Sequence, residues 1–351
     1  ILNWCKPAKR KKLIERMLRR SNFLRKDRVV SVEPDGESEV IGLTTTTGNY
    51  VVWGYASKNF RPNVVNAINE LKPETIILLG EKAVKSVIGW VWKEDCGNIG
   101  RWVGWRIPCQ RLNTWICPTW HPSYLLRSGR DREDGALKVL FKDHLRRAFR
   151  LKGRPWPDGK PDLNKNLEII YDPAEAARKI VDMRRWSEKG AAIDIECDRI
   201  KPDSKDARIW SCAISNGDWT ISYPWNGEAI AETGRFIASG VPLILANAKY
   251  EQRWFLREFG FGIKNLFWDT MLAAHALDNR GGITGLKFLA FAMMGYEPWN
   301  DYVEPFLKSE GTNTPNRIRE ADLGKVLRYG GVDSLLEYRL AMIQRNQMGI
   351  E

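Results

Sequence analysis

The sequence predicts an α/β protein in two parts, the first built on a parallel sheet and the second on a mixed sheet. Three observations carry this prediction. The run Thr75-Ile-Ile-Leu-Leu79 is continuously apolar, ends at Gly80 and opens into a helical pattern, as a buried parallel strand does in a βα unit. Beyond residue 166, alternating strands are followed by a second buried run and then by helices. Between the two parts, residues 153–165 (GRPWPDGKPDLNK) have the Pro, Gly and polar composition of a linker. The expected division is therefore 1–152, a linker over 153–165, and 166–351.

In the first part, residues 1–30 read as a short strand and a basic helix. Residues 29–55 alternate as strands separated by the turn signals DG and TGN, a hairpin or small three-stranded insertion. PNVVNAINEL is an amphipathic helix, TIILLG the buried strand and EKAVKSVIG the helix after it. RWVGWRIPCQ and TWICPTW are short strands. His121-Pro-Ser-Tyr-Leu-Leu-Arg127 follows, and then a basic helix to about residue 152, with Lys138, Lys142, His144, Arg146 and Arg150 on or near its polar surface.

The second part opens with NLEIIYD as a strand. PAEAARKIVDMRRW is a helix with Pro in its first turn, and AAIDIECD a strand. WSCAISNG and WTISYPW form a hairpin, AETGRFIASG a helix and PLILANA a buried strand. YEQRWFLREFG is a helix stopped by Gly260. Further helices occupy roughly 270–295, and a last one runs from about 320 to 346.

Composition narrows the function classes. The 351 residues carry 55 Lys and Arg against 43 Asp and Glu, a net charge of +12, which favours a polyanionic partner. Eleven Lys and Arg face two acids within residues 1–30, a run that also suits a merely solvated helix face. Sixteen Trp supply core and, at the surface, platforms for stacking bases. The six Cys form no C-x-x-C pair, which argues against a zinc ribbon and offers no disulfide framework. No apolar run is long enough to span a bilayer, and a cytoplasmic setting is expected. The chain starts at Ile1 rather than Met, inside an apparent strand, and so reads as a piece of something longer.

Chemistry is concentrated in the second part. Asp194 and Glu196 stand at i and i+2 on a strand, so both carboxylates share one face. Held together they need a cation between them, and a hard divalent ion suits that place. Alone, the pair more often describes acids that simply face water. Asn247 and Glu251 lie where a buried strand turns into a helix, an edge at which α/β sites form. Asp269 begins a helix, where an N-cap is an equal reading. Tyr329 and Asp333 share a helical face at i and i+4.

In order and spacing, Asp194-Ile-Glu196, Asn247-Ala-Lys-Tyr250-Glu251 and Tyr329-Gly-Gly-Val-Asp333, with DTMLAAHAL and GLKFLA between them, resemble the DEDD exonucleases of the tyrosine subclass. The proofreading domain of family A DNA polymerases is the nearest likeness. The resemblance covers about 185 residues and implies a ribonuclease H-like fold with a mixed sheet. It also implies 3′–5′ hydrolysis by two Mg²⁺ or Mn²⁺ ions. By that likeness Asp194 bridges both metals, Glu196 and Asp333 ligate one, Glu251 reaches the other, and Tyr329 orients the attacking water with Glu196. Two departures stand out. Glu251 replaces the usual Asp, adding one methylene. Cys197-Asp-Arg-Ile200 replaces a small turn, placing Ile200 as the wedge against the terminal base and Arg199 within reach of a phosphate. Asn247 and Tyr250 are expected to contact nucleic acid.

TIILLGEKAV, RWVGWRIP and TWHPSYLLR resemble the second half of family 4 uracil-DNA glycosylases, with an α/β/α fold. By this likeness Asn3 is the uracil-reading amide, His121 lies near the scissile bond, and Leu125 or Leu126 fills the vacated stack. Ser123 and Arg127 touch the DNA backbone. The family's Gly-rich first motif would precede Ile1. Phe60 stands where a cluster cysteine belongs, and Cys5 alone cannot hold an iron–sulfur cluster, so none is expected. The expectation is a decayed glycosylase-like module that grips DNA, joined to an exonuclease acting on single-stranded or frayed 3′ ends in phage-like replication or repair. A DNA polymerase is the expected partner, or the continuation of the chain. The rivals are an exoribonuclease of the RNase D type and a non-catalytic module that binds DNA or tethers a polymerase.

Overall fold

The computed structural model describes residues 29–34, 41–45, 61–128, 135–311 and 314–350. Residues 1–56 and 57–351 form two separate compact units. Of the first, two strands are described, β1 (Val29–Pro34) and β2 (Ile41–Thr45), paired antiparallel. The hairpin expected over 29–55 is present in these two strands. Its third strand, the helix expected before residue 29, Asn3, Cys5 and Phe60 lie outside the described residues.

The second unit holds two sheets. A helix α1 (Arg61–Leu71) leads into β3 (Thr75–Leu79). Gly80, at φ 89°, then turns the chain into α2 (Glu81–Val91). β4 (Ile107–Cys109) and β5 (Thr114–Thr119) complete a sheet of order β3-β5-β4. β3 and β5 run parallel as expected, whereas β4 is an antiparallel edge. Of the strand expected over 101–110, only Ile107–Cys109 pairs. Residues 99–101 instead form a 3₁₀ turn capped by Asn98, whose side chain accepts from the Gly100 amide at 2.7 Å. α3 (Pro122–Ser128) and α4 (Gly135–Phe149) follow.

The larger sheet has six strands, β6 (Leu167–Ile169), β7 (Ala191–Cys197), β8 (Ile209–Ser215), β9 (Thr220–Pro224), β10 (Leu243–Leu245) and β11 (Leu266–Asp269), in the order β11-β10-β7-β8-β9-β6. It is mixed: β7–β8–β9 is an antiparallel meander, while β10 joins β7, β11 joins β10 and β6 joins β9 in parallel. β11 is an edge strand that apolar patterning did not reveal.

Its helices are α5 (Pro173–Arg185), α6 (Gly227–Ala238), α7 (Lys249–Phe259), α8 (Thr270–Leu277), α9 (Leu286–Met294), α10 (Glu304–Leu307) and α11 (Leu323–Gln347). Their ends follow local chemistry. Asp172 caps α5 by accepting from the Glu175 amide at 2.7 Å, with Pro173 in the first turn. Gly260 closes α7 in the left-handed conformation at φ 75°. Asp322 caps α11, accepting from the Lys325 amide at 2.9 Å.

α11 lies across β7, β8 and β9. Glycine permits this approach: a Cβ at residue 331 would stand 2.4 Å from Leu167 Cδ1. One hydrophobic core joins the small sheet to the exonuclease-like part, with Ile88, Trp102, Ile107 and Ile116 packing among Phe288, Phe291, Leu336 and Leu340. The segment 153–165 is held down as well. The Trp156 indole donates to the Pro108 carbonyl at 2.6 Å, and Asn113 exchanges hydrogen bonds with the Trp156 backbone at 2.8 and 2.9 Å. A second core fills the other face of the large sheet, around Ile193, Ile214, Tyr223, Phe236 and Phe255. Among the described residues no helix is long and apolar enough to cross a membrane.

Candidate metal centre

β7 carries the first two acids. Its buried residues Ile193, Ile195 and Cys197 alternate with the half-buried Asp194 and Glu196, so both carboxylates point to the α11 face. Gly330 of α11 faces these acids: a Cβ there would meet Asp194 Oδ2 at 3.7 Å and Glu196 Cγ at 3.8 Å, ordinary contact distances. α11 contributes Tyr329 and Asp333, both buried. Asp194, Glu196 and Asp333 each bring one oxygen into a group whose members lie within 4.8 Å of one another. Asp194 and Asp333, 139 positions apart in the chain, thus converge.

Burial and mutual repulsion define the electrostatics. Burial, then the Asp333 charge, push Asp194 up from 3.8 to about 7, with Lys287 opposing. Burial, then Asp194 and Asp333, hold Glu196 well above the usual carboxylate range. Glu251, 4 % exposed in the first turn of α7, is raised by burial and then by Asp194. Burial and then Asp333 raise Tyr329. Asp194 Oδ2 and Glu251 Oε2 are buried without a hydrogen-bond partner. The oxygens of Asp194, Glu196 and Asp333 form a donor set that fits a hard divalent cation, whereas Glu251 is not among the oxygens brought within 4.8 Å of one another.

Two groups unmarked by motif reading complete the centre. Lys287, in the first turn of α9, pairs with Asp333 and donates to the Tyr329 hydroxyl at 2.7 Å. The Trp299 indole donates to Asp333 Oδ1 at 2.6 Å. Lys287 lies within the GLKFLA segment, yet nothing in its spacing marks it as a partner of Asp333. Asp269 is the cap of α8, accepting from Met271 and Leu272 amides at 2.9 and 3.0 Å. It also accepts from the amides of Asn247 and Ala248 at 3.3 and 2.9 Å, which secures the turn before Glu251. Asn247 itself is left-handed at φ 71°.

The remaining expected contacts divide. Ile200 is 59 % exposed just past β7. Tyr250 is half-buried, packs on the core and lies 6.3 Å from the Trp254 ring. Arg199 is buried and commits its guanidinium to Asp206 at 2.7 Å, with Asp198 at 3.4 Å. That corrects the expectation of an arginine presented to phosphate: the longer turn folds its own acid onto it. Leu125 is buried, so it packs inward rather than standing out as a wedge. The side chains of Leu126 and Arg127 lie outside the described residues. His121 packs on Gly80, where a Cβ would stand 2.8 Å away, and its Nδ1 pairs with Ser123 Oγ at 2.7 Å and accepts from the Ser123 amide at 3.1 Å. His144, expected near the polar surface, is half-buried. It bonds Thr119 Oγ1 at 3.0 Å and stacks on Trp120. A cavity of about 1210 Å³ opens beside it, lined by Trp105, Arg106, Trp120, Arg147 and Arg280 among others.

Two family models match parts of the chain. Residues 168–304 match the family model described as 3′–5′ exonuclease, and residues 12–146 match that of the uracil DNA glycosylase superfamily. Among solved structures, Brucella melitensis NrnC with bound Mg²⁺ is 15 % identical, the match covering 52 % of this chain and 81 % of that one, with a TM-score of 0.38. The catalytic core of RRP6 from Trypanosoma brucei is 17 % identical over 52 % of this chain and 48 % of that one, with a TM-score of 0.37. RNase D from Escherichia coli is 16 % identical over 52 % and 46 %, with a TM-score of 0.35. No curated protein matches the sequence significantly. The chain thus carries one segment similar to 3′–5′ exonucleases and one similar to the uracil DNA glycosylase superfamily.

Proposed function

We propose that this protein removes nucleotides from the 3′ ends of DNA with Mg²⁺ or Mn²⁺, and that Asp194, Glu196, Glu251, Tyr329 and Asp333 do the work. The observation that carries this reading is the convergence of Asp194, Glu196 and Asp333 within 4.8 Å beside the Tyr329 hydroxyl. Two divalent cations, when bound, supply the Lewis acidity that activates water and stabilises the leaving 3′ oxygen. Asp194 stands between the two sides of the centre. Glu196 and Asp333 hold one side and Glu251 the other. Tyr329 positions the water with Glu196. Trp299 and Lys287 orient Asp333, which keeps its carboxylate from rotating away. Ile200 and Tyr250 receive the terminal nucleotide.

The substrate is read as DNA because the exonuclease segment is joined to a glycosylase-superfamily segment. That segment serves as a DNA grip. The cavity it lines together with residues 277–293 and 343–347 offers tryptophan faces for stacking and arginines for phosphate, and Ser123 and Arg127 lie in α3. The setting is replication or repair alongside a DNA polymerase. The test is release of 5′-mononucleotides from matched DNA and RNA strands labelled at the 5′ end, with Mg²⁺, with Mn²⁺ and with chelator. We expect metal-dependent shortening of DNA, and a fall of about 10³-fold or more in Asp194→Ala. Faster shortening of RNA overturns the substrate assignment. Equal inertness of wild type and variant with both metals leaves a binding module.

A further inference from the structure

Both carboxylate oxygens of Asp333 are engaged. The Trp299 indole donates to Oδ1 at 2.6 Å, and the Lys287 ammonium pairs with Oδ2. That ammonium also donates to the Tyr329 hydroxyl at 2.7 Å and lies over the rings of Tyr329 and Trp299, 4.5 and 5.4 Å from their centroids. Asp194 is in the opposite condition, its Oδ2 buried without a hydrogen-bond partner. Among the described residues no Lys or Arg other than Lys287 forms an ion pair with Asp194, Glu196 or Asp333.

A single ammonium is thus seated on a group of three acids whose oxygens lie within 4.8 Å of one another. An ammonium on a carboxylate oxygen takes the place that a divalent ion would take on the same oxygen. Two cations sharing Oδ2 repel at short range, with little screening where the acid is buried. The partners also differ in freedom. The Asp333 side chain is 5 % exposed and held by Trp299, whereas that of Lys287 is 24 % exposed. Lysine carries its charge on a flexible four-carbon stem, so the ammonium is the group that can leave for water.

The geometry points to Lys287 as the resident counter-cation of the metal-free centre: its ammonium holds Asp333 until a divalent ion takes Oδ2, and metal binds on that side by displacing it. This rests on the two-metal reading above and adds a competitor to it. It also orders the ions. One bound through Asp194 Oδ2 meets no ammonium, whereas one bound through Asp333 does. A lysine that merely oriented Asp333 would help the ion, and its loss would weaken metal binding. Loss of a competitor tightens it, so the sign of the change separates the two roles.

The test is Mn²⁺ titration of the whole chain without nucleic acid, followed by calorimetry and electron paramagnetic resonance. Lys287→Met keeps most of the stem and removes the charge. It should bind the weaker of two Mn²⁺ about tenfold more tightly than wild type, and should melt below wild type in chelator. Lys287→Arg keeps a cation and should not tighten that ion. A readout on wild type serves if the variants fail to fold: acetylation of Lys287, followed by mass spectrometry of its peptide, should run about tenfold faster with saturating Mn²⁺ than in chelator. Unchanged or weaker Mn²⁺ binding in Lys287→Met, equal tightening in Lys287→Arg, or acetylation of Lys287 indifferent to Mn²⁺ overturns the proposal and leaves Lys287 a positioning residue. Absence of Mn²⁺ binding in both wild type and Lys287→Met overturns the two-metal reading as well. Tighter Mn²⁺ binding in Lys287→Met, with no shortening of DNA or RNA by wild type, supports the displacement and sinks only the assigned function.

Discussion

Asp194 shows how burial makes a candidate metal-ligating side chain costly to the fold. Burial and the Asp333 charge raise it from 3.8 to about 7. An acid raised in the folded state binds protons more tightly there than in the unfolded chain. Its stabilising contribution is therefore fully present below 3.8 and is lost as pH rises through about 7. In chelator, the wild-type melting temperature should fall between about pH 5 and about pH 8, and Asp194→Asn should flatten that fall. Adding Mn²⁺ at the upper pH should restore several degrees to wild type and little to the variant. Thermal melts across pH, with and without metal, check this. A wild-type curve that rises over this range would count against the buried-acid account.

At the scale of elements, the centre depends on how closely α11 lies against the large sheet. Gly330 and Gly331 are neighbours with different duties. A Cβ at 331 meets Leu167 at 2.4 Å, whereas one at 330 finds only ordinary contacts of 3.7–3.9 Å with Asp194, Glu196 and Ala213. Gly331→Ala should destabilise the protein by roughly 1–3 kcal/mol, through overpacking. Gly330→Ala should be neutral or stabilise by up to about 1 kcal/mol from helix propensity. Urea melts of the two variants separate these outcomes; equal losses would mean that the 331 contact relaxes freely. The motif Tyr-Gly-Gly-Val-Asp was legible as one helical face. That its two glycines differ was not, because the difference depends on β6, which is distant in sequence.

For the whole molecule, the decisive feature is the core shared between the small sheet and helices α9 and α11. Phe288, Phe291, Leu336 and Leu340 complete it from the exonuclease side. Gly295 seals the contact at φ 72°, where a Cβ would lie 1.7 Å from the Pro108 carbonyl oxygen. A fragment starting at residue 166 should therefore expose this apolar face and aggregate or melt well below the full chain. Size-exclusion chromatography and calorimetry of the fragment check this. A monodisperse fragment with the full chain's melting temperature would contradict it. The composition of residues 153–165 is that of a linker, and Trp156 and Asn113 tie that segment to the small sheet.

The sequence alone determined which residues share a face. Period-two alternation placed Asp194 with Glu196, helical spacing placed Tyr329 with Asp333, and the capping residues marked helix ends. These are properties of neighbours along the chain, governed by backbone geometry. Only the tertiary structure decided which faces meet. It brought Lys287 and Trp299 to Asp333, buried Glu337, committed Arg199 to Asp206 and turned Leu125 inward. Those outcomes depend on packing between segments far apart in the chain, which local pattern does not encode.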